Sequence, residues 1–121
     1  MKLFIYELYL RDVVGLKDIK ETNIKRVDKK ECYIINISTN NGKIKLLQSY
    51  DRIVGIYDCD KNKMLIECQK IKNNRACKSY SMTTSKHINL FIDTISNESN
   101  NTPILEHVKN FDILFFGGDY E

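Results

Sequence analysis

The sequence lacks the features that mark several large classes of protein. No apolar run approaches the ~18 residues that a bilayer-spanning helix needs. The longest runs are short stretches such as residues 113–116. The first residues meet an acid at Glu7 and offer no small-residue cleavage site, so they do not resemble a signal peptide. We therefore expect neither a secreted nor a membrane-spanning protein, and the expected location is the cytoplasm.

Motifs for metal binding, redox chemistry and catalysis are also missing. The four cysteines contain no Cys-x-x-Cys pair, and neither histidine stands at a recognised ligand spacing. There is no Gly-x-Ser-x-Gly elbow, no Gly-rich phosphate loop and no His-Glu-x-x-His motif. We therefore predict no metal site, no cofactor and no catalytic residue, and we expect the cysteines to be free thiols. The cysteines are Cys32, Cys59, Cys68 and Cys77.

What the sequence does contain is typical of one folded domain that comprises residues 1–121. Hydrophobic residues make up 42% and charged residues 29% of a chain whose length suits a single core. The net charge of +3 is unevenly distributed, because residues 61–86 carry seven cations against one acid whereas residues 101–121 carry four acids against one lysine. The basic and the acidic segment either attract each other or face different partners. The simplest explanation of the basic segment is that its lysines are solvated on the surface. The seven cations are Lys61, Lys63, Lys70, Lys72, Arg75, Lys78 and Lys86.

Two β-hairpins are predicted in the middle of the chain. The turn between the first pair of strands is Asn40-Asn41-Gly42, in which Asn and Gly tolerate the positive φ of tight hairpin turns. The second pair of strands is separated by the turn-like residues 58–62, and the polar segment 70–78 has Asn73-Asn74 at its tip. The four predicted strands are residues 31–38, 43–47, 52–57 and 63–68.

The flanking segments give weaker signals. We predict a strand over residues 2–10, an irregular connection with at most one helical turn over residues 11–30, and a further strand over residues 111–116. Pro103 follows Thr102 and favours the start of a short helix through Lys109. The predicted class is α+β, an antiparallel meander of about four to six strands with one main amphipathic helix packed on one face.

The main helix is predicted from the period of its apolar residues. Four of them recur at the i, i+3, i+4, i+7 spacing of one helix face, namely Ile88, Phe91, Ile92 and Ile95. Thr83, Thr84 and Ser85 precede this stripe and are all suitable N-cap residues, with Thr83 or Thr84 expected to cap. The helix should end near Asn97.

The entrance of this helix is the main candidate site. Thr84, Ser85, Lys86 and His87 combine hydroxyls and cations with the unpaired amides of a helix N-terminus, which together suit an anion. We nevertheless expect the block to be mainly a structural corner, in which the hydroxyls cap the helix and His87 packs against a strand. The alternative is that the block binds an anion or contacts a partner protein. Leu90 lies roughly 160° from the apolar stripe and could belong to a partner-binding patch.

One pattern resembles a known family. The pattern consists of Ser49-Tyr50 before an apolar strand and of residues 80–87, with the sequence Tyr-Ser-Met-Thr-Thr-Ser-Lys-His. It resembles small proteins of unknown function from phages, plasmids and other mobile elements of Gram-positive bacteria. Members look like Ser-Tyr-x-Thr and then Tyr-Ser-x-Thr-Thr-x-x-His, and this chain departs from them in having Arg52. The resemblance covers residues 43–95. It implies genomic context, in which small proteins often inhibit or modulate host machinery.

Three functional hypotheses follow. The leading one is a non-enzymatic binding protein that occupies the surface of a host or element-encoded protein, with an anti-defence (anti-CRISPR-like) inhibitor as its most concrete form. The alternative is a nucleic-acid-binding accessory protein, in which the seven cations contact phosphates and Tyr80 stacks on bases. In the third, an enzyme, His87 and His107 are the candidate acid and base.

Overall fold

The computed structural model describes residues 19–39, 42–50, 52–78 and 81–108. Its elements are β1 (Ile19–Asp28), β2 (Cys32–Thr39), β3 (Gly42–Ser49), β4 (Arg52–Asp58), β5 (Lys63–Glu67), β6 (Lys70–Lys72), β7 (Arg75–Lys78), α1 (Met82–Ser99) and β8 (Ile104–Val108). A six-stranded sheet in the order β1-β2-β3-β4-β5-β8 carries the helix α1 on one face, with the small hairpin β6–β7 beside the helix. The α+β class, the meander and the single main helix are thereby confirmed.

Both predicted hairpins are present. β2 pairs antiparallel with β3 in a register that ends at Thr39 and Gly42, so Gly42 is the first residue of its strand. In the β4–β5 turn, the Asp58 carboxylate accepts hydrogen bonds from the backbone amides of Asp60 and Lys61 at 2.9 and 3.2 Å. This is the local bonding that makes aspartate a turn residue.

The first described strand corrects the prediction of an irregular connection. Residues 19–28 form β1, the longest of the described strands, which pairs antiparallel with β2. β1 lies at an end of the described sheet, and Asn23, Ile24, Lys25 and Arg26 are exposed. A strand with so little buried surface does not need alternating apolar residues, and its scattered charges therefore looked irregular. Residues 11–18 lie outside the described residues.

The segment after Pro103 is a strand and not the predicted short helix. β8 pairs in parallel with β5, and the Ile104 amide donates to the Asn62 carbonyl at 2.9 Å. The Asn62 side chain donates to the Thr102 carbonyl at 3.1 Å and holds the chain at this edge. Pairing with β5 gives alternate residues of this segment backbone partners on a neighbouring strand, whereas a helix of under two turns forms few internal hydrogen bonds. The strands predicted over 2–10 and 111–116 lie outside the described residues.

The core lies between α1 and the sheet, and the predicted apolar stripe is confirmed. Ile88, Phe91, Ile92 and Ile95 are all buried. Gly55 of β4 lets the helix approach, because a Cβ at this position would lie 3.1 Å from the Phe91 ring. Within the described residues, no helix has the combined length and apolar character that crossing a membrane requires.

The opposite face of the central strands is also apolar and buried. Its side chains are at most 5% exposed but do not belong to the cluster around α1. Burial on both faces explains why β4 is apolar almost throughout and shows no alternation. The residues of this second face are Ile35, Ile37, Ile44, Leu46, Ile53 and Ile56.

Candidate functional site

Ser81 caps α1, so the prediction of Thr83 or Thr84 as the cap is wrong. The Ser81 Oγ accepts from the Thr84 backbone amide at 3.0 Å and donates to the Thr84 Oγ1 at 2.8 Å. The Ser85 amide donates to the Ser81 carbonyl at 3.1 Å. Four neighbouring hydroxyl residues suit a cap equally well, and the choice depends on where the preceding chain is extended, which is at Ser81. The capping bond already uses one amide that an anion would need.

His87 is the centre of a buried polar network. Its side chain is fully buried, its Nδ1 lies 2.7 Å from the Ser49 Oγ, and its Nε2 lies 3.1 Å from the Asp28 Oδ2. Three elements, β1, β3 and α1, therefore meet at one imidazole. The expectation that His87 packs against a strand as part of a structural corner agrees with this geometry.

The ionisation of Asp28 sets the direction of these hydrogen bonds. Burial alone would raise the pKa of Asp28, but the hydrogen bonds from His87 and the Lys29 amide and the Lys86 charge outweigh it and lower the pKa below its usual value. An ionised Asp28 only accepts, so the His87 Nε2 carries the proton and donates to it. When the imidazole is neutral, the Ser49 hydroxyl donates to the Nδ1 of His87.

This network has the residue types of a hydrolase triad in an unsuitable arrangement. Ser49 lies in the interior at 6% exposure, whereas Asp28, at 20%, is the member nearest the surface. In a hydrolase triad the serine must be accessible to the substrate, whereas the carboxylate is ordinarily the buried member. Ser49 and Asp28 have the opposite arrangement. We therefore interpret the three residues as a structural tie.

A cleft opens beside Asp28, between α1, the end of β1 and β7. It has a volume of about 460 Å³ and combines two apolar side chains with charges of both signs. We call it the α1–β7 cleft. Its lining residues are Val27, Asp28, Arg75, Lys86, Asn89, Leu90 and Asp93. Leu90, which lay off the buried stripe in the sequence, is half-buried here.

Polar contacts fix the β7 wall of the cleft to the helix. The Asn89 side chain accepts from the Ala76 amide at 2.8 Å and donates to the Ala76 carbonyl at 3.3 Å, as a neighbouring strand would. The Arg75 guanidinium makes a two-point contact with the Asp93 carboxylate. The hairpin is therefore held in one position against α1.

The β6–β7 hairpin concentrates positive charge. Asn73 and Asn74, the predicted tip, have φ values of 54° and 58°, as a tight two-residue turn requires. Lys70 faces Lys78 and Lys72 faces Arg75 across the two strands. Directly opposed like charges destabilise a strand pair, so the hairpin depends on its contacts with α1. The strands themselves were missed, because the segment is polar and contributes only Ile71 and Ala76 to the core.

The remaining predicted cations lie elsewhere. Lys61 is exposed in the β4–β5 turn, and Lys63 at the start of β5 pairs with Glu106 at 2.8 Å. The length of β5 separates both from the hairpin, which follows the end of that strand. The seven cations therefore do not form one patch. Tyr80, predicted to stack on bases, lies outside the described residues.

Comparison with models of known protein families shows the family of this chain. The profile of a family of unknown function (DUF8033) matches residues 19–107, from the start of β1 into β8. The chain belongs to this family. No match was found among curated proteins, and none was found among solved structures. The DUF8033 match extends beyond residues 43–95, where the resemblance was found in the sequence, and includes Asp28, the partner of His87.

The cysteines of this DUF8033 member are free thiols. Cys32 and Cys68 are buried, Cys59 is half-buried and Cys77 is exposed. Burial and then the Asp28 charge raise the pKa of the Cys32 thiol to about 12, and burial also raises the pKa of Cys68. Among the residues with described positions, no group of three or more His, Cys, Asp or Glu side chains is arranged to hold a metal ion.

Several site residues were not found by sequence reasoning. Asp28 and Ser49 lie 59 and 38 positions from His87, and no local pattern links them. Asp93 belongs to no motif, and its four-residue spacing from Asn89 is the only sequence signal that both could face one neighbour. The cleft is therefore a product of the tertiary structure.

Proposed function

We propose that this DUF8033 member is a non-enzymatic binding protein that acts by occupying the surface of a partner protein. The α1–β7 cleft is the observation that supports this function best. It presents Val27 and Leu90 beside cations and carboxylates on a wall that Asn89 fixes. A surface that combines apolar contact with charges of both signs matches the composition of protein interfaces, and a fixed wall reduces the entropy lost on binding.

The signs of the charges favour a protein partner over nucleic acid. Asp28 and Asp93 line the same cleft as Arg75 and Lys86, and their carboxylates would repel a phosphate backbone. Arg75 is the only arginine among the seven cations, and its guanidinium is engaged by Asp93. Lysine is the weaker residue for the two-point recognition of phosphate.

The resemblance to proteins of mobile elements indicates the class of partner. Within this proposal, the partner is a host or element-encoded protein, and inhibition of a host defence system, as by an anti-CRISPR protein, is the most concrete form. The expected location is the cytoplasm, where such a partner would be met. The basis for this step is the Ser49-Tyr50 and residue 80–87 pattern.

A capture experiment with matched variants tests the proposed surface. The tagged full chain, Leu90→Asp and Ile104→Asp would each be incubated with a lysate of a Gram-positive host and the captured proteins identified. Ile104 is a suitable control because it is 62% exposed on β8, away from the cleft. We expect one protein to be captured by the wild type and Ile104→Asp and to be lost with Leu90→Asp. Equal capture by all three chains would contradict the proposal.

Nucleic acid is a second candidate because of the hairpin. The hairpin carries four cations on nine residues, and they face each other in two like-charged pairs. A bound polyanion would reduce the repulsion within these pairs. The variant Lys70→Gln/Lys72→Gln/Lys78→Gln should then abolish a low-salt gel shift of DNA or RNA, while the distant Lys43→Gln/Lys61→Gln pair should leave it unchanged. If the wild-type chain shifts neither nucleic acid at low salt, this candidate is wrong.

A further inference from the structure

Within the described part of the chain, the outer edge of β1 is open to pairing. Among the described strands, β1 pairs with β2 alone and stands first in the sheet. An edge strand presents the backbone N–H and C=O groups of alternate residues to its surroundings. Over residues 21–26 the register with β2 is regular, and β-bulge-like shifts occur only at its two ends. This gives a template of six residues with uninterrupted pairing.

Among the described residues, β1 lacks three of the features by which proteins protect an edge, although its lysines and the bulge-like shifts at its two ends are features of that kind. Natural edge strands are kept short, interrupted by proline or covered by another element. β1 has ten residues and no proline, and Asn23 to Arg26 are exposed, with Ile24 at 54%. An apolar side chain at this exposure on an open edge is a contact that an added strand would use.

The charge beside this edge selects an acidic partner. Between residues 25 and 30, four cations stand against Asp28, whose carboxylate accepts from His87. Arg26 also donates to the carbonyls of Asp28 and Lys29 and fixes the turn where the strand ends. The cations are Lys25, Arg26, Lys29 and Lys30.

The edge leads directly into the α1–β7 cleft, because Val27 and Asp28 both end β1 and line that cleft. We infer that an extended segment of the partner protein, acidic where it lies beside β1, adds to the outer edge of β1 as a further strand and continues into the cleft with an apolar side chain that contacts Val27 and Leu90. This inference rests on the proposed function and specifies which kind of partner segment the surface receives. Main-chain hydrogen bonds would supply affinity and the side chains specificity.

Amide hydrogen exchange of the full chain tests the inference. The probe is a synthetic peptide of eight residues with alternating Val and Glu, added at millimolar concentration. We expect alternate amides of residues 21–26, the outward-facing set, to gain protection while the β8 amides do not change. A peptide N-methylated at the residues that face β1 should give no protection, and one N-methylated at the opposite residues should protect as the parent does. No protection on β1, or protection unaffected by either methylation pattern, would overturn the inference.

Charge reversal supplies a second measurement. Lys25→Glu/Lys29→Glu should weaken binding of the Val/Glu peptide about tenfold or more, because like charges then oppose each other, while Lys43→Glu/Lys61→Glu serves as the matched control. Equal losses in the two variants would show a general charge effect and reject the edge. Protection of β1 without peptide, increasing with protein concentration, would show that a second copy occupies the edge and would also overturn the inference. Loss of partner capture in Leu90→Asp tests the proposed function separately.

Discussion

Asp28 connects the interior of the protein with its surface. One carboxylate oxygen accepts from the buried His87, while the residue also lines the α1–β7 cleft. The same side chain therefore positions the end of β1 and contributes negative charge to the proposed binding surface. Ser49, in contrast, lies in the interior and only completes the hydrogen bonding of the imidazole.

The lowered pKa of Asp28 predicts a loss of stability in acid. A carboxyl group whose pKa is lower in the folded chain stabilises the fold above its unfolded pKa, and this contribution disappears as the pH falls through the folded value. The stability difference between wild type and Asp28→Asn should therefore be constant near neutral pH and shrink below about pH 4. Denaturant unfolding across this range measures it. Ser49→Ala is the control, because it removes a neutral donor and should not share this acid dependence.

Phe91 should be the most costly residue of the helix stripe to truncate. Its ring is fully buried and lies against Gly55. Phe91→Ala should cost about 3–5 kcal/mol of unfolding free energy, the range for a large side chain in a well-packed core. Leu90→Ala, on the neighbouring half-buried position, should cost much less. Comparable losses for the two variants in urea unfolding would contradict the packing described here.

At the scale of elements, local signals predicted the hairpins and the helix, and long-range contacts decided the rest. The turn residues of the β2–β3 and β4–β5 hairpins and the helical spacing of the apolar residues of α1 are visible in the sequence. β8 is a strand only because β5 lies beside it, and β1 only because of β2. The site divides in the same way: Lys86, His87 and Leu90 stand in one helical turn, whereas Asp28 reaches them from another part of the chain.

The cap of α1 gives a direct test of the corrected N-terminus. Ser81→Ala removes the acceptor of the Thr84 amide and should cost about 1 kcal/mol. Thr83→Ala should have a much smaller effect, because Thr83 lies inside the helix and its hydroxyl is not the cap. Thermal unfolding of the two variants compares them. A larger effect of Thr83→Ala would restore the original assignment.

At the scale of the molecule, β1 and β8 stand at opposite ends of the described sheet but differ in design. β8 is short, and its Glu106 pairs with Lys63 of β5. β1 is twice as long, carries Lys25 and Arg26, and adjoins the cleft. Both faces of the central strands are buried, so the molecule offers partners the edges of the sheet and the hairpin more readily than these faces. Because of this asymmetry, the proposed α1–β7 binding surface and the proposed strand-pairing edge lie together at the β1 end of the sheet.

The thiols can show whether this structure unfolds as a single domain. Cys32 starts β2 and Cys68 follows β5, and both are buried in the cluster around α1. Their raised pKa values keep them as unreactive thiols near pH 8. In the background Cys59→Ser/Cys77→Ser, iodoacetamide should therefore modify Cys32 and Cys68 only through unfolding, and with the same dependence on urea. Cys77 alone should react with the folded wild-type chain, because it is exposed. Modification of Cys68 at lower urea than Cys32 would show that the hairpin end opens independently and that the chain is not one cooperative unit.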